Sequence, residues 1–251
     1  MKILLYDGSF EGFMSAVFHV YQHKLNDVMI RKNTTGVMGL FGETIEVMTN
    51  IEQSDRVWKS LQTKTSCESA KKFYCSFLSE IEAEEDNMLH YLRYIFASTQ
   101  DVSEDYSHPA VLRVSKVAKM VGREKHRMEA FVRFQLVEDN TFYAIIEPDF
   151  NVLPLISKHF EQRYADQKWL IFDQKRHYGL LYDLNRVEII EYNTPPQSKA
   201  LLEPNSVEKS YQNLWKVYFK NTNIKERRNM KIHLQHVPVR YWKYLSEKSP
   251  L

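Results

Sequence analysis

Apolar residues along the chain change their period several times, and each change marks a boundary. Lys2 to Tyr6 is a short apolar run that reads as a buried strand. Asp7-Gly8-Ser9 then makes a turn in which Ser9 or Gly8 caps a helix with Phe13, Ala16, Val17 and Val20 at helical spacing. Val28 to Arg31 and Glu43 to Met48 are further strand candidates, the second rich in β-branched residues. Asn50 to Gln62, Ser66 to Ile81 and Glu84 to Ala97 carry apolar residues at intervals of three and four and predict helices. The same period runs from Ala110 to Met120, where Gly122 is expected to interrupt it.

Beyond the charged string Arg123-Glu124-Lys125-His126-Arg127, the pattern turns aromatic and β-branched. Phe131 to Val137 and Thr141 to Ile146 predict an antiparallel hairpin, and Pro154 to Tyr164 a helix. Trp169 to Asp173, Tyr178 to Tyr182 and Val187 to Tyr192 follow as strands, which together make a ββαβββ unit. Thr194-Pro195-Pro196-Gln197-Ser198 reads as a linker, because tandem prolines stop strand pairing. Val207 to Lys220 and Ile224 to His236 predict a helical tail that ends before Pro238. The fold class expected is therefore α+β, a mostly antiparallel sheet packed with flanking helices, preceded by a strand-turn-helix region. The expected division is residues 1–82 and 83–251, which can also form one continuous unit.

Composition agrees with a folded chain: 43% hydrophobic and 13% aromatic residues supply a core, and both signs of charge are nearly balanced at a net +2. The sum conceals local asymmetry. Residues 80–86 are acidic, whereas two later stretches are basic. No apolar run is long enough to span a membrane, and the opening MKILLYDGSF lacks the profile of a signal peptide. Cys67 and Cys75 fall on one helix about 12 Å apart, too far for a disulfide, so reduced thiols in a cytoplasmic protein are expected.

The first basic stretch holds Arg113, Lys116, Lys119, Arg123, Lys125, Arg127 and Arg133 against Glu124 and Glu129. Guanidinium forks match phosphate, so such a patch suits nucleic acid; a solvated helix face is the competing reading. The second runs from Tyr218 through Arg227 and Arg228 to Arg240, Tyr241 and Trp242 and interleaves cations with rings. That composition fits a single-strand groove, or simply aromatic anchors for terminal helices. His159 and Arg163 share a helical face, near Asp173, Arg176 and His177 in sequence. A histidine, His126 or His159, with Asp173 as orienting carboxylate can do acid–base work, although structural pairing also accounts for the group. His19 and His23 lack the glutamate of an HExxH motif, and His233 and His236 lack cysteine partners, so neither a metal nor a cofactor is expected. Asp7 to Gly12 has neither the GxGxxG nor the Walker pattern and reads as a tight turn before a helix.

Taken together, LLYDGSFEG, VGREKHRMEAFVRF, PDFNVLPLISKHFEQRYADQKWLIFDQKRHYGLLYD, NIKERRN and VPVRYWKYLSE resemble a bacterial family of DNA-metabolism or DNA-repair proteins whose shared domain has no established function. Members are encoded beside a radical SAM protein, and similar domains are fused to uracil-DNA glycosylase superfamily domains. The resemblance implies a DNA connection but no agreed catalytic set. The motif positions it carries over are His126, Arg127, Met128, Phe131, Arg133, His159, Phe160, Arg163, Trp169, Asp173, Arg176, Arg227, Asn229, Pro238, Arg240, Tyr241 and Trp242. The chain departs from the family at Asn223 to Arg227, where relatives carry an Asn-Pro-Ala-Arg-like string. With no CxxxCxxC cluster, it resembles the companion of the radical SAM protein rather than that enzyme. Three readings stay open: a nucleic-acid-binding accessory protein, an enzyme on nucleic acid or nucleotide, and a protein-interaction scaffold.

Overall fold

The computed structural model describes residues 2–33, 43–137, 140–191, 214, 230–245 and 248. The linker at residues 194–198, the helix expected over 207–220 except Leu214, and Arg227 and Arg228 lie outside the described residues. The chain divides into two compact units, Met1–Gly122 and Arg123–Leu251.

The first unit is built on three parallel strands, β1 (Lys2–Tyr6), β2 (Val28–Lys32) and β3 (Glu43–Glu46), in the order β2-β1-β3. The central strand β1 is the most apolar: Leu4 is fully buried and pairs with Ile30 and Ile45. Ser9 caps α1 (Phe10–Gln22) by accepting from the Gly12 amide at 2.9 Å, and Asp7 accepts from the Ser9 amide and hydroxyl and from Thr49. Gly12 is required there, since a Cβ would meet Asp7 Oδ1 at 2.1 Å. Helices α2 (Ile51–Lys64), α3 (Cys67–Leu78) and α4 (Glu84–Ala97) follow, the first two capped by Asn50 and Ser66. The core joins Leu4, Phe13 and Val17 to Leu61, Phe73, Met88, Leu92 and Val114. Cys67 and Cys75 share α3 and are not joined in a disulfide.

The last three acids of the acidic run are engaged inside this unit. Glu85 accepts from Tyr6 Oη, Glu84 from Ser76 and Arg113, and Asp86 from Arg31. Burial first, and Glu85 second, push the Tyr6 phenol far above its ordinary range. Because Arg113 is bound to the buried Glu84, it is a structural cation of the first unit.

One expectation fails at Gly122. Helix α5 runs unbroken from Pro109 to Phe131. A glycine inside a helix costs about 1 kcal/mol against alanine. The apolar stripe on both sides of Gly122, with Val114, Val117, Val121 and Met128 all buried, outweighs that cost. As a result Phe131 is helical, and the strand expected from it shrinks to β4 (Gln135–Leu136).

In the second unit β4, β5 (Phe142–Ile146), β6 (Trp169–Asp173), β7 (Tyr178–Tyr182) and β8 (Val187–Glu191) lie side by side in chain order. All neighbours are antiparallel except β5 and β6, which are parallel and joined through α6 (Leu153–Arg163). The fold is thus α+β, its larger sheet mostly antiparallel with flanking helices. An aromatic stack of Phe134, Phe160, Trp169 and Tyr182 holds α6 to the sheet. The chain closes with α7 (Met230–His236) and a 3-10 helix (Val239–Tyr244).

A glycine in β7 sets the closeness of β6 and β7. A Cβ at Gly179 would meet the Ile171 carbonyl oxygen at 2.7 Å and Phe172 Cα at 3.3 Å, backbone atoms that cannot step aside. Gly179→Ala is expected to lower unfolding stability by about 1–3 kcal/mol, read as a shifted urea midpoint at unchanged slope.

Candidate functional site

Parallel pairing of β5 and β6 brings their carboxyl ends to the same edge of the sheet, so the loops that follow them are neighbours. Glu147, Pro148 and Asp149 leave β5, while Asp173 ends β6 and Gln174 to His177 turn into β7. Asp173 organises that turn. It is fully buried; Oδ1 accepts from the Lys175 and Arg176 amides at 2.9 and 3.2 Å, and Oδ2 from Arg176 Nη1 at 2.8 Å. Arg176 also donates to the Pro148 and Asp149 carbonyls, which ties the two loops together. Burial holds the Asp173 carboxyl above the usual carboxylate range, against the opposing pull of Arg176.

A second carboxylate, Glu124 of α5, is 1% exposed and gathers donors from three places. Tyr241 Oη lies 2.6 Å from both of its oxygens, Arg240 Nη2 donates at 2.9 Å, the Asp149 amide at 3.0 Å, and Arg127 Nη1 stands 3.6 Å away. Arg240 also reaches Asp149 Oδ2 at 2.7 Å and lies over the Tyr241 ring, its guanidinium carbon 4.7 Å from the centroid. Burial, then the Glu124 hydrogen bond, push the Tyr241 phenol well above its usual range. Lys243 and Tyr244 both bind Glu147, which also lowers the Glu147 carboxyl. The recess framed by Met128, Phe131, Ile146, Tyr241 and Tyr244 is about the size of one water. This edge of the sheet is an ion-pair cluster in which Asp173 and Glu124 are buried while Arg240, Asp149, Lys243 and Glu147 remain partly exposed.

The remaining sequence-marked cations lie on α5 and α6. Lys125 Nζ is 2.8 Å from Glu129 Oε1, His126 Nδ1 4.0 Å from Oε2, and His159 Nδ1 3.9 Å from Oε1. His126 is 86% exposed at its side chain, and Arg123 and Arg163 are exposed as well. Arg163 stands 6.0 Å from the Tyr164 ring. Arg133 donates to the Ala130 and Val132 carbonyls, and Trp242 to the Val237 carbonyl.

The structure therefore sorts the sequence-marked residues into two sets. Arg127, Arg176, Arg240, Tyr241 and Asp173 meet at the ends of β5 and β6, whereas Arg123, Lys125, His126, His159 and Arg163 occupy the helix faces around Glu129. Asp173 is fully engaged by its own turn; the carboxylate facing both histidines is Glu129. Tyr241, 2% exposed, has no ring face to offer a base. Glu124, Glu129, Glu147 and Asp149 escaped sequence reasoning as site residues. For Glu124 a signal exists: it continues the stripe Val114, Val117, Val121, Met128, where a carboxylate marks a buried polar contact. Among the described residues no group of three or more His, Cys, Asp or Glu can hold a metal ion, and no helix is long and apolar enough to cross a membrane.

This α+β unit, with carboxylates buried beneath arginines, belongs to a family defined by sequence. A family model for a domain of unknown function, DUF4130, matches residues 82–247, and the chain is a member of that family. The match begins two residues before α4 of the first unit and extends past the 3-10 helix. No curated protein sequence matches the chain.

Two outcomes follow from these ion pairs. Glu124→Ala leaves Arg240 and Tyr241 without their buried acceptor and is expected to cost about 3–5 kcal/mol in chemical denaturation. Glu147 has a lowered carboxyl pKa in the folded protein because of Lys243. Its contribution is present above the ordinary carboxylate range and is lost as pH falls through the depressed folded value. Wild type should lose more stability than Glu147→Gln over that acid range in parallel denaturation curves; equal losses would mean that the Lys243 pair contributes nothing.

Proposed function

We propose that the second unit is a nucleic-acid-binding accessory module and that phosphates are held along the exposed faces of α5 and α6. The observation that carries this reading is the sorting of cations. Arg176 and Arg240 are bound to the buried carboxylates Asp173 and Glu124, whereas Arg123, His126 and Arg163 are exposed on two helices that approach each other at Glu129, the partner of Lys125. Half-exposed Arg127 extends this set, since its contact with Glu124 occupies one nitrogen of its fork. Phosphate contacts of this kind set affinity and register without reading sequence.

The motif strings favour DNA as the nucleic acid and a radical SAM protein as the partner that does the chemistry. The chain's cysteines, Cys67 and Cys75, cannot build an iron–sulfur cluster of the required spacing. In this role the module presents DNA to its partner from the cytoplasm.

Binding of the full chain to labelled single-stranded and duplex DNA over a salt series tests the proposal. Affinity should fall steeply with salt. Arg123→Ala and Arg163→Ala should each weaken binding and lower the salt slope by about 1, at unchanged stability. Arg186→Ala, which removes a cation paired to Glu188 in the β7–β8 turn, should leave the slope as it is. Absence of binding at low salt would retire the proposal.

A further inference from the structure

Glu129 is mostly buried, its side chain 16% exposed, and it draws nitrogens from two helices. Lys125 makes the close ion pair, and His126 and His159 stand at 4.0 and 3.9 Å, beyond a direct hydrogen bond but within ion-pair reach when protonated. One imidazole comes from α5 and the other from α6, and each faces a different oxygen of the same carboxylate. Arg123 stands one turn before His126 on α5 and Arg163 one turn after His159 on α6, and Lys125, Arg127 and Lys158 are the charged sequence neighbours of the two histidines. The His159 and Phe160 rings meet edge to face with centroids 5.1 Å apart.

With both imidazoles neutral, the ion pair that Glu129 keeps among the described residues is the one with Lys125. A phosphodiester entering between the helices adds a negative charge beside that carboxylate. Imidazole is the side chain whose charge ordinarily changes between about pH 5 and 8, so these rings can answer the added charge by taking protons from solvent. We infer that phosphate binding at the α5–α6 faces is coupled to proton uptake by His126 and His159, with Glu129 holding both rings towards the incoming anion. The inference rests on the nucleic-acid-binding reading and adds its regulation: a complex that holds more protons than the free protein tightens as pH falls. The ligand class is the phosphodiester backbone itself, whatever its bases. Glu129 is a positioning residue here, since it acts through the imidazoles.

The test is the affinity of the full chain for a short labelled DNA duplex at low salt, measured at about pH 6 and about pH 8. Wild type should bind about tenfold tighter at the lower pH, the size expected from two added surface ion pairs. The double variant His126→Gln/His159→Gln should bring that ratio close to one, while Arg163→Ala weakens binding at both values and keeps the ratio. Binding heats in buffers of different ionisation enthalpy should report net proton uptake for wild type and none for the double variant. DNA binding that is independent of pH, or a pH ratio that survives in the double variant, would overturn this inference alone. Failure of wild type to bind at either pH would remove the nucleic-acid reading and the inference together.

Discussion

A single buried carboxylate organises the second unit. Glu124 sits on a helix stripe otherwise occupied by valine and methionine, and a charge placed there without partners would cost several kcal/mol. Its partners are supplied by the loop after β5 and by the 3-10 helix near the end of the chain. The Asp149 amide, Tyr241 hydroxyl and Arg240 guanidinium all point to it. Because removing any one donor leaves the others facing an undercompensated charge, these elements are bound to one another through Glu124. Arg240, in turn, reaches Asp149 and transmits the same constraint to the carboxyl end of β5.

The parallel β5–β6 pair explains why so much charge collects at one edge. An antiparallel pair would send its following loops to opposite edges of the sheet, whereas α6 returns the chain so that β6 runs beside β5 in the same direction. Asp173 and Arg176 then knit the turn after β6 to the Pro148 and Asp149 carbonyls. The chemical consequence is saturation. Arg176 and Arg240, which look available for phosphate, are spent on carboxylates of the same unit, whereas Arg123, His126 and Arg163 on the faces of α5 and α6 are exposed. In the first unit the same economy governs residues 84–86, whose acids serve Tyr6, Arg31 and Arg113.

Much of the architecture was legible from periodicity. The bounds of α4, β1, β6 and β7 match the apolar patterns, and Ser9, Asn50 and Ser66 cap their helices as short polar residues ahead of apolar periods do. Gly122 misled because a local propensity of about 1 kcal/mol was set against burial that only the folded protein reveals. Arg127, Arg176, Arg240 and Asp173 were visible as charged motif positions, but their roles were not, since charge in a sequence carries a sign and no partner.

Away from Gly122 and Phe131, the sequence by itself determined where most helices and strands form and which faces they bury, because the 3.6- and 2-residue periods are local properties of the backbone. It also determined that cations and rings accumulate in two stretches. Which cation is neutralised and which stays open was decided by tertiary structure: Glu124 meets Arg240 and Tyr241 across 116 and 117 residues, and Glu147 meets Lys243 across 96. Pairings at such separation depend on the direction of β6 beside β5 and on where the 3-10 helix docks, and no local pattern encodes either one.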